Sequence, residues 1–292
     1  MSTLAITLIQ TPRTPPSAVS NTLTIARREL RDAVRSRWFF LYTLAFTVLG
    51  LAVSFVSAAG SGGSGLSGFG RTTAGLVNLV LLVVPLMALS AGAASIASDR
   101  ERGMLSYLFA QPLNRSELLL GKYLGLAAAL LASISLGLGG CALILAWKGL
   151  RTNPQSMFWL CGLAFLLALG MLSVGMLIST LARRASVAVG TAIFVWLVLV
   201  FVSDLALMAG AVAMRLRIET LFAASLVNPL QVFKMWSLHA VDANLDVLGP
   251  AGLYAVEEYG PSLHAIFGGC MVAWVVLPLA AASFVLSRRS PL

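Results

Sequence analysis

Few residues in this chain have the type and spacing to do chemistry. Met235, His239 and Asp242 stand at i, i+4 and i+7, which places them on one face if the segment is helical. Thioether and imidazole are donors that suit copper. Yet the chain has only two histidines, and the second, His264, begins an apolar run. Met235 and His239 are therefore weak candidates, a packing methionine and an interfacial histidine explain them, and no metal site is assigned. Gly65-Leu-Ser-Gly-Phe-Gly-Arg-Thr72 has the spacing of a phosphate-binding loop with Arg71 where lysine is required. A true phosphate loop follows a strand and opens a helix, whereas this one follows a long apolar run, and no other nucleotide motif is present. Cys141, Cys161 and Cys270 fall inside apolar runs without ligand-like spacing and read as small packing residues. Glu257 and Glu258 are neighbours, so on a helix or strand they point apart. An enzyme working inside a membrane needs a nucleophile with a base, paired carboxylates or metal ligands within its spans. The single Asp204 supplies none of these, and no catalytic residue is assigned.

The elements that would carry these residues are membrane helices. Of 292 residues 59% are hydrophobic and 11% charged, and the mean hydropathy is +0.91, which excludes an ordinary soluble domain. Apolar runs near 38–57, 75–97, 123–147, 158–181, 187–210 and 263–286 each reach the roughly 20 helical residues that cross a hydrocarbon core. The fold class expected is all-α integral membrane, with six transmembrane helices.

The formal charge of +9 follows topology and calls for no nucleic-acid partner. Arg13, Arg27, Arg28, Arg31, Arg35 and Arg37 precede the first run. Arg100, Arg102, Arg115 and Lys122 lie between the second and third, Arg183 and Arg184 between the fourth and fifth, and Arg288 and Arg289 after the last. The positive-inside rule puts all of these, and both termini, in the cytoplasm. Residues 1–20 are expected to be a disordered tail with no signal-peptide pattern. Residues 21–37 alternate Leu23, Ala26, Leu30, Ala33 and Val34 with arginines, and predict an amphipathic helix on the inner membrane surface. Residues 38–292 form the six-span domain. Gly60 to Gly70 is expected to be an outer loop.

Residues 98–122 are a polar, amphipathic island where force is expected to enter the membrane part. Ser98 and Glu101 have capping-box spacing and predict a short helix with Met104, Leu105, Leu108 and Phe109 on its apolar face, stopped by Pro112. Asn114 and Glu117 repeat the spacing and open a helix that runs into the third span, with Gly121 and Gly125 admitting a close neighbour. Glu101-Arg102-Gly103, Gln111-Pro112, Arg115-Ser116-Glu117 and Gly121-Lys122 resemble the cytoplasmic linker of ABC-2 type permeases, the membrane halves of ABC transporters. The resemblance implies a type V exporter-like transmembrane domain with an N-terminal elbow helix. It also implies an ATPase-coupling set of Glu101, Arg102, Gly103, Met104, Leu105, Leu108, Phe109, Gln111, Pro112 and Arg115. ATP and Mg would then sit on a partner ATPase, with no cofactor on this chain.

Asp204 is the acidic residue placed within a span, where a carboxylate costs about 2.5–3.5 kcal/mol on the insertion scale, so it should face protein or water. Two readings stand: a helix-contact or switch site, or a residue at the outer interface. Residues 211–262 are the longest outer segment and predict a cap. In it an interfacial helix opens at Arg215-Leu-Arg217-Ile-Glu219, Asn228-Pro229 breaks it, and a second helix carries Leu230, Phe233, Ser237 and Ala240. Asp204-Leu205, Asn228-Pro229-Leu-Gln-Val-Phe-Lys234 and Leu245-Asp-Val-Leu-Gly-Pro-Ala-Gly-Leu-Tyr254 resemble one branch of the family, the permeases that serve nitrous oxide reductase maturation. That likeness implies a homodimer in the bacterial inner membrane with two cytoplasmic ABC ATPase subunits and a periplasmic β-helical copper-maturation protein. The periplasmic partner would bind around Asn228, Pro229, Phe233, Lys234, Asp246, Gly249 and Pro250. The competing reading is an ABC-2 exporter for a lipid, drug or peptide.

Overall fold

The structure, a computed structural model, describes residues 18–60, 65–104, 114–147, 154–212, 217–240, 255 and 258–288. Among them there is no strand. An apolar chain without water must satisfy its own backbone, and each long run does so as a helix. In chain order these are α1 (Ala18–Arg35), α2 (Arg37–Gly60), α3 (Gly65–Glu101), α4 (Arg115–Trp147), α5 (Pro154–Leu181), α6 (Ala185–Leu197), a π-helical turn (Val198–Val202) and α7 (Ser203–Val212). Then come α8 (Ile218–Leu226), α9 (Pro229–Ala240), a short 3-10 turn (Gly260–Ser262) and α10 (Leu263–Arg288). Six stretches are long and apolar enough to cross a membrane: Phe39–Val56, Ala74–Glu101, Arg115–Ile144, Pro154–Leu181, Ala185–Gly210 and Leu263–Arg288. They match the apolar runs of the sequence.

The bundle is built around α3 and α5, its most extensively packed pair. Their crossing is set by two glycines: a Cβ on Gly92 would lie 2.7 Å from the Leu172 carbonyl oxygen, and one on Gly175 would lie 2.5 Å from that of Leu89. Only hydrogen fits there, which is how helices approach closely where lipid supplies no hydrophobic drive. Leu89, Ile96, Leu167, Met171 and Leu172 fill the surrounding interior. On one side α4 and α10 pack on α5; on another, α6 lies along α3.

Three expectations change. The outer loop placed at Gly60 to Gly70 is mostly helix, because α2 runs to Gly60 and α3 begins at Gly65. The phosphate-loop spacing therefore lies on a helix and has no loop to wrap a phosphate. Ser98 and Glu101 open no new helix; they are the last turn of α3, whose apolar run leaves its backbone ladder no reason to break earlier. Finally α1 starts at Ala18, within the expected tail, and packs along α4. There a Cβ on Gly121 would lie 2.7 Å from Ile25 Cβ, and one on Gly125 2.5 Å from the Ala26 carbonyl oxygen. The close neighbour those glycines admit is α1, and its arginines Arg27, Arg28, Arg31 and Arg35 are exposed on the other side.

Candidate functional site

The island begins where α3 stops. Arg102 N–H donates to the Ser98 carbonyl and Gly103 N–H to that of Arg100, both at 3.1 Å. Gly103 sits at φ 70°, a left-handed helix stop that glycine adopts without a Cβ penalty. Arg102 and Gly103 are exposed and Met104 is half-buried. Leu105, Leu108, Phe109, Gln111 and Pro112 lie outside the described residues. At the far side of the island Asn114 stands immediately before α4, where the spacing places the helix start: Leu118 N–H donates to the Asn114 carbonyl at 3.2 Å, and Asn114 Nδ2 donates to Glu117 Oε1 at 2.8 Å.

The flanks of the island hold the other helices at this end. Glu101 Oε2 accepts the N–H of Ala185, the first residue of α6, at 3.0 Å. Arg100 donates to the carbonyls of Ala182 and Ser179 at the end of α5. Arg115 donates to the carbonyl of Leu286, in the last turn of α10, at 2.7 Å. Glu117 also accepts from Asn21 Nδ2 of α1 at 3.1 Å. Deeper in, Lys122 Nζ lies 2.9 Å from Glu29 of α1 and 2.8 Å from Asp99 of α3, and it donates to the Ser95 carbonyl at 3.3 Å. The lysine is 4% exposed. An ammonium so enclosed is tolerable only when fully partnered, and these three acceptors match its three donors. Beside it Ser179 Oγ accepts the N–H groups of Ile96 and Ala97 at 2.9 and 2.8 Å.

At the opposite end, the expected helix pair of the 211–262 segment is present as α8 and α9, broken at Asn228-Pro229. The first residues of α8, Ile218 to Thr220, are exposed. Helix α9 packs against α5, α10 and α3, with Leu230, Val232, Phe233 and Leu238 buried. Its buried residues also include the polar Gln231 and Ser237. This corrects part of the proposed docking set: Phe233 is fully buried, Pro229 is buried and Asn228 is 5% exposed, so they support the cap from within. Asn228 Nδ2 donates to the Leu199 carbonyl in the π-helical turn at 2.7 Å, and its Oδ1 caps α9 by accepting Leu230 N–H at 3.0 Å. One turn on, the Gln231 amide donates to Asp204 Oδ1. Asp204 makes this helix contact while itself exposed, at the edge of a cavity of about 140 Å³ that Asn78, Gln231 and the half-buried Lys234 also line, so the contact and the outer-interface readings both stand. Asp246, Gly249 and Pro250 lie outside the described residues. Met235 is a packing residue, its sulfur accepting the Ser225 hydroxyl at 3.6 Å.

A larger cavity, about 530 Å³, opens between α1, α2, α3 and α6 at the island end. Phe39, Tyr42, Met87 and Ile193 give it apolar walls; Glu29, Asp32 and several serines, among them Ser90 and Ser98, give it polar ones.

The sequence reading missed the flank contacts of Asp99, Arg100, Lys122 and Ser179. Capping spacing marks Asn114 and Glu117 locally, but partners such as Glu29 and Asp99 are far apart in the chain and leave no periodic signal. Among the described residues no group of three or more His, Cys, Asp or Glu is placed to hold a metal.

Comparison with known proteins gives the family of the chain. A family model described as ABC-2 family transporter protein matches residues 23–290. The chain is 31% identical over 271 residues to the "Probable ABC transporter permease protein NosY" of Stutzerimonas stutzeri, covering 91% of this chain and 97% of that one. It is 32% identical over 274 residues to the protein of the same name in Pseudomonas aeruginosa, covering 91% and 98%.

Proposed function

The chain belongs to the ABC-2 family of transporter proteins, and from that premise we propose that it is the permease of a complex that couples cytoplasmic ATP hydrolysis to a periplasmic partner during copper-centre maturation of nitrous oxide reductase. It works as a homodimer in the bacterial inner membrane with both termini cytoplasmic. ATP and Mg are held by two separate ATPase subunits, and a periplasmic β-helical protein sits over the cap.

The observation that carries this reading is the set of contacts at the island flanks. Arg100, Glu101, Arg115 and Lys122 join the island to α1, α5, α6 and α10. A push on residues 102–114 is thereby shared among the helices of that end. Helix α6 leads the motion to the π-helical turn and α7, where Asn228, bonded to Leu199, and Gln231, bonded to Asp204, take it into α9. Coupling of this kind needs contacts that differ between two states of the complex.

The test is purification of the tagged chain from native membranes in mild detergent, followed by mass spectrometry. An ABC ATPase together with a periplasmic repeat protein supports the reading, and the substitution Leu108→Asp then releases the ATPase while the chain still inserts. Failure to retain an ATPase on a folded chain overturns it. A second reading, an exporter for a lipid, drug or peptide, draws support from the amphipathic cavity of about 530 Å³. Recovery of the ATPase alone favours that reading.

A further inference from the structure

We propose that His239 and His264 form a two-imidazole binding site for a late first-row transition-metal ion, with Cu(II) held most tightly among the divalent members, at the end of the bundle opposite the island. The site goes beyond the transport reading and does not depend on it.

These are the only two histidines in the chain. They lie on different helices, α9 and α10, yet their ring centroids are 5.1 Å apart with the planes tilted by 57°. An ion bonded at about 2.0 Å to one nitrogen of each ring would stand roughly 3 Å from both centroids, a span that the separation of the pair admits. The pair is held in place by aromatic packing. Trp236, one turn before His239, meets His264 edge-on at 6.4 Å and Phe267 at 6.3 Å, and Phe267 is 1% exposed. Two ligands on separate, packed helices are preorganised in a way that two histidines on a loop are not.

A further feature of this corner points to a ligand. The Trp236 indole N–H, on the ring that packs against His264, is buried and has no acceptor among the described residues. His264 is exposed and His239 half-buried. Neutral imidazole suits copper, zinc and nickel, and Cu(II) leads the divalent affinity order for a given nitrogen site. With two protein ligands the remaining positions stay open to water or to an incoming ligand. Such a site holds an ion in exchange with its surroundings, unlike a closed four-ligand structural site.

The experiment uses the full-length chain purified in detergent through a tag that contains no histidine. Cu(II) is titrated in, and imidazole nitrogen coupling is read by electron paramagnetic resonance. One Cu(II) per chain with two coupled imidazole nitrogens is expected. His239→Gln and His264→Gln should each remove one nitrogen and weaken binding by at least about tenfold, since even outer-sphere partners of a metal ligand are worth that much. With no other histidine in the chain, the nitrogen signal has no second source. Wild-type protein that binds Cu(II) without imidazole coupling, or a double variant with undiminished affinity, overturns the site. The wild-type spectrum decides the question even where a variant folds poorly.

Discussion

The Lys122 ammonium lies 2.8 Å from the Asp99 carboxylate, joining the end of the helix that enters the island to the start of the helix that leaves it. Glu29 of α1 completes the node from the other side at 2.9 Å. The segment on which a partner would press is therefore closed at its base. Lys122→Met leaves two carboxylates without their cation in a site where the lysine side chain is 5% exposed. Breaking a buried pair in this way costs about 3–5 kcal/mol. The thermal midpoint in detergent should fall, and adding Glu29→Gln and Asp99→Asn to the same variant should recover much of the loss.

Gly125 and Gly139 both sit on α4, and substitution should separate them. A Cβ at Gly125 meets the α1 backbone at 2.5 Å, whereas nothing lies within 4 Å of one at Gly139. Gly125→Val should lift α1 and expose residues 18–35 to protease in reconstituted vesicles. Gly139→Ala should leave the digestion pattern unchanged.

Asn228 works as donor and acceptor at once. Asn228→Ala strands the Leu230 N–H and the Leu199 carbonyl and should cost roughly 1–3 kcal/mol. Asn228→Asp keeps the cap on α9 but loses the donor. Hydrogen exchange over 229–233 should therefore speed up in the alanine variant more than in the aspartate one.

Glu101 holds the first N–H of α6. Glu101→Ala should accelerate exchange over 183–188 while leaving the α3–α5 crossing at Gly92 and Gly175 protected. Equal protection of 183–188 in both proteins would show that the contact does not hold the turn.

Much of the architecture is legible in the chain. The six spans follow from apolar run length, because a bilayer admits only backbone that satisfies itself. The start of α4 behind Asn114, the glycine neighbour on its flank and the break at Asn228-Pro229 follow from local rules of capping, packing and proline geometry. Those rules act over a few residues, so sequence alone carries them. The island was singled out in the same way, by charge and cap spacing between two apolar runs.

What surrounds those features came from the tertiary structure. That Lys122 meets both Glu29 and Asp99, that Glu101 holds α6, that Phe233 turns inward and that His239 meets His264 are relations between helices remote in sequence. Periodicity shows which face of a helix is apolar, but not which neighbour that face meets. Inside a membrane the ambiguity is greater, because lipid and protein partners are equally apolar and hydrophobicity does not separate them. The choice is made by close backbone contact at Gly92, Gly125 and Gly175 and by buried polar groups that must find a partner, and both exist only once the helices have packed.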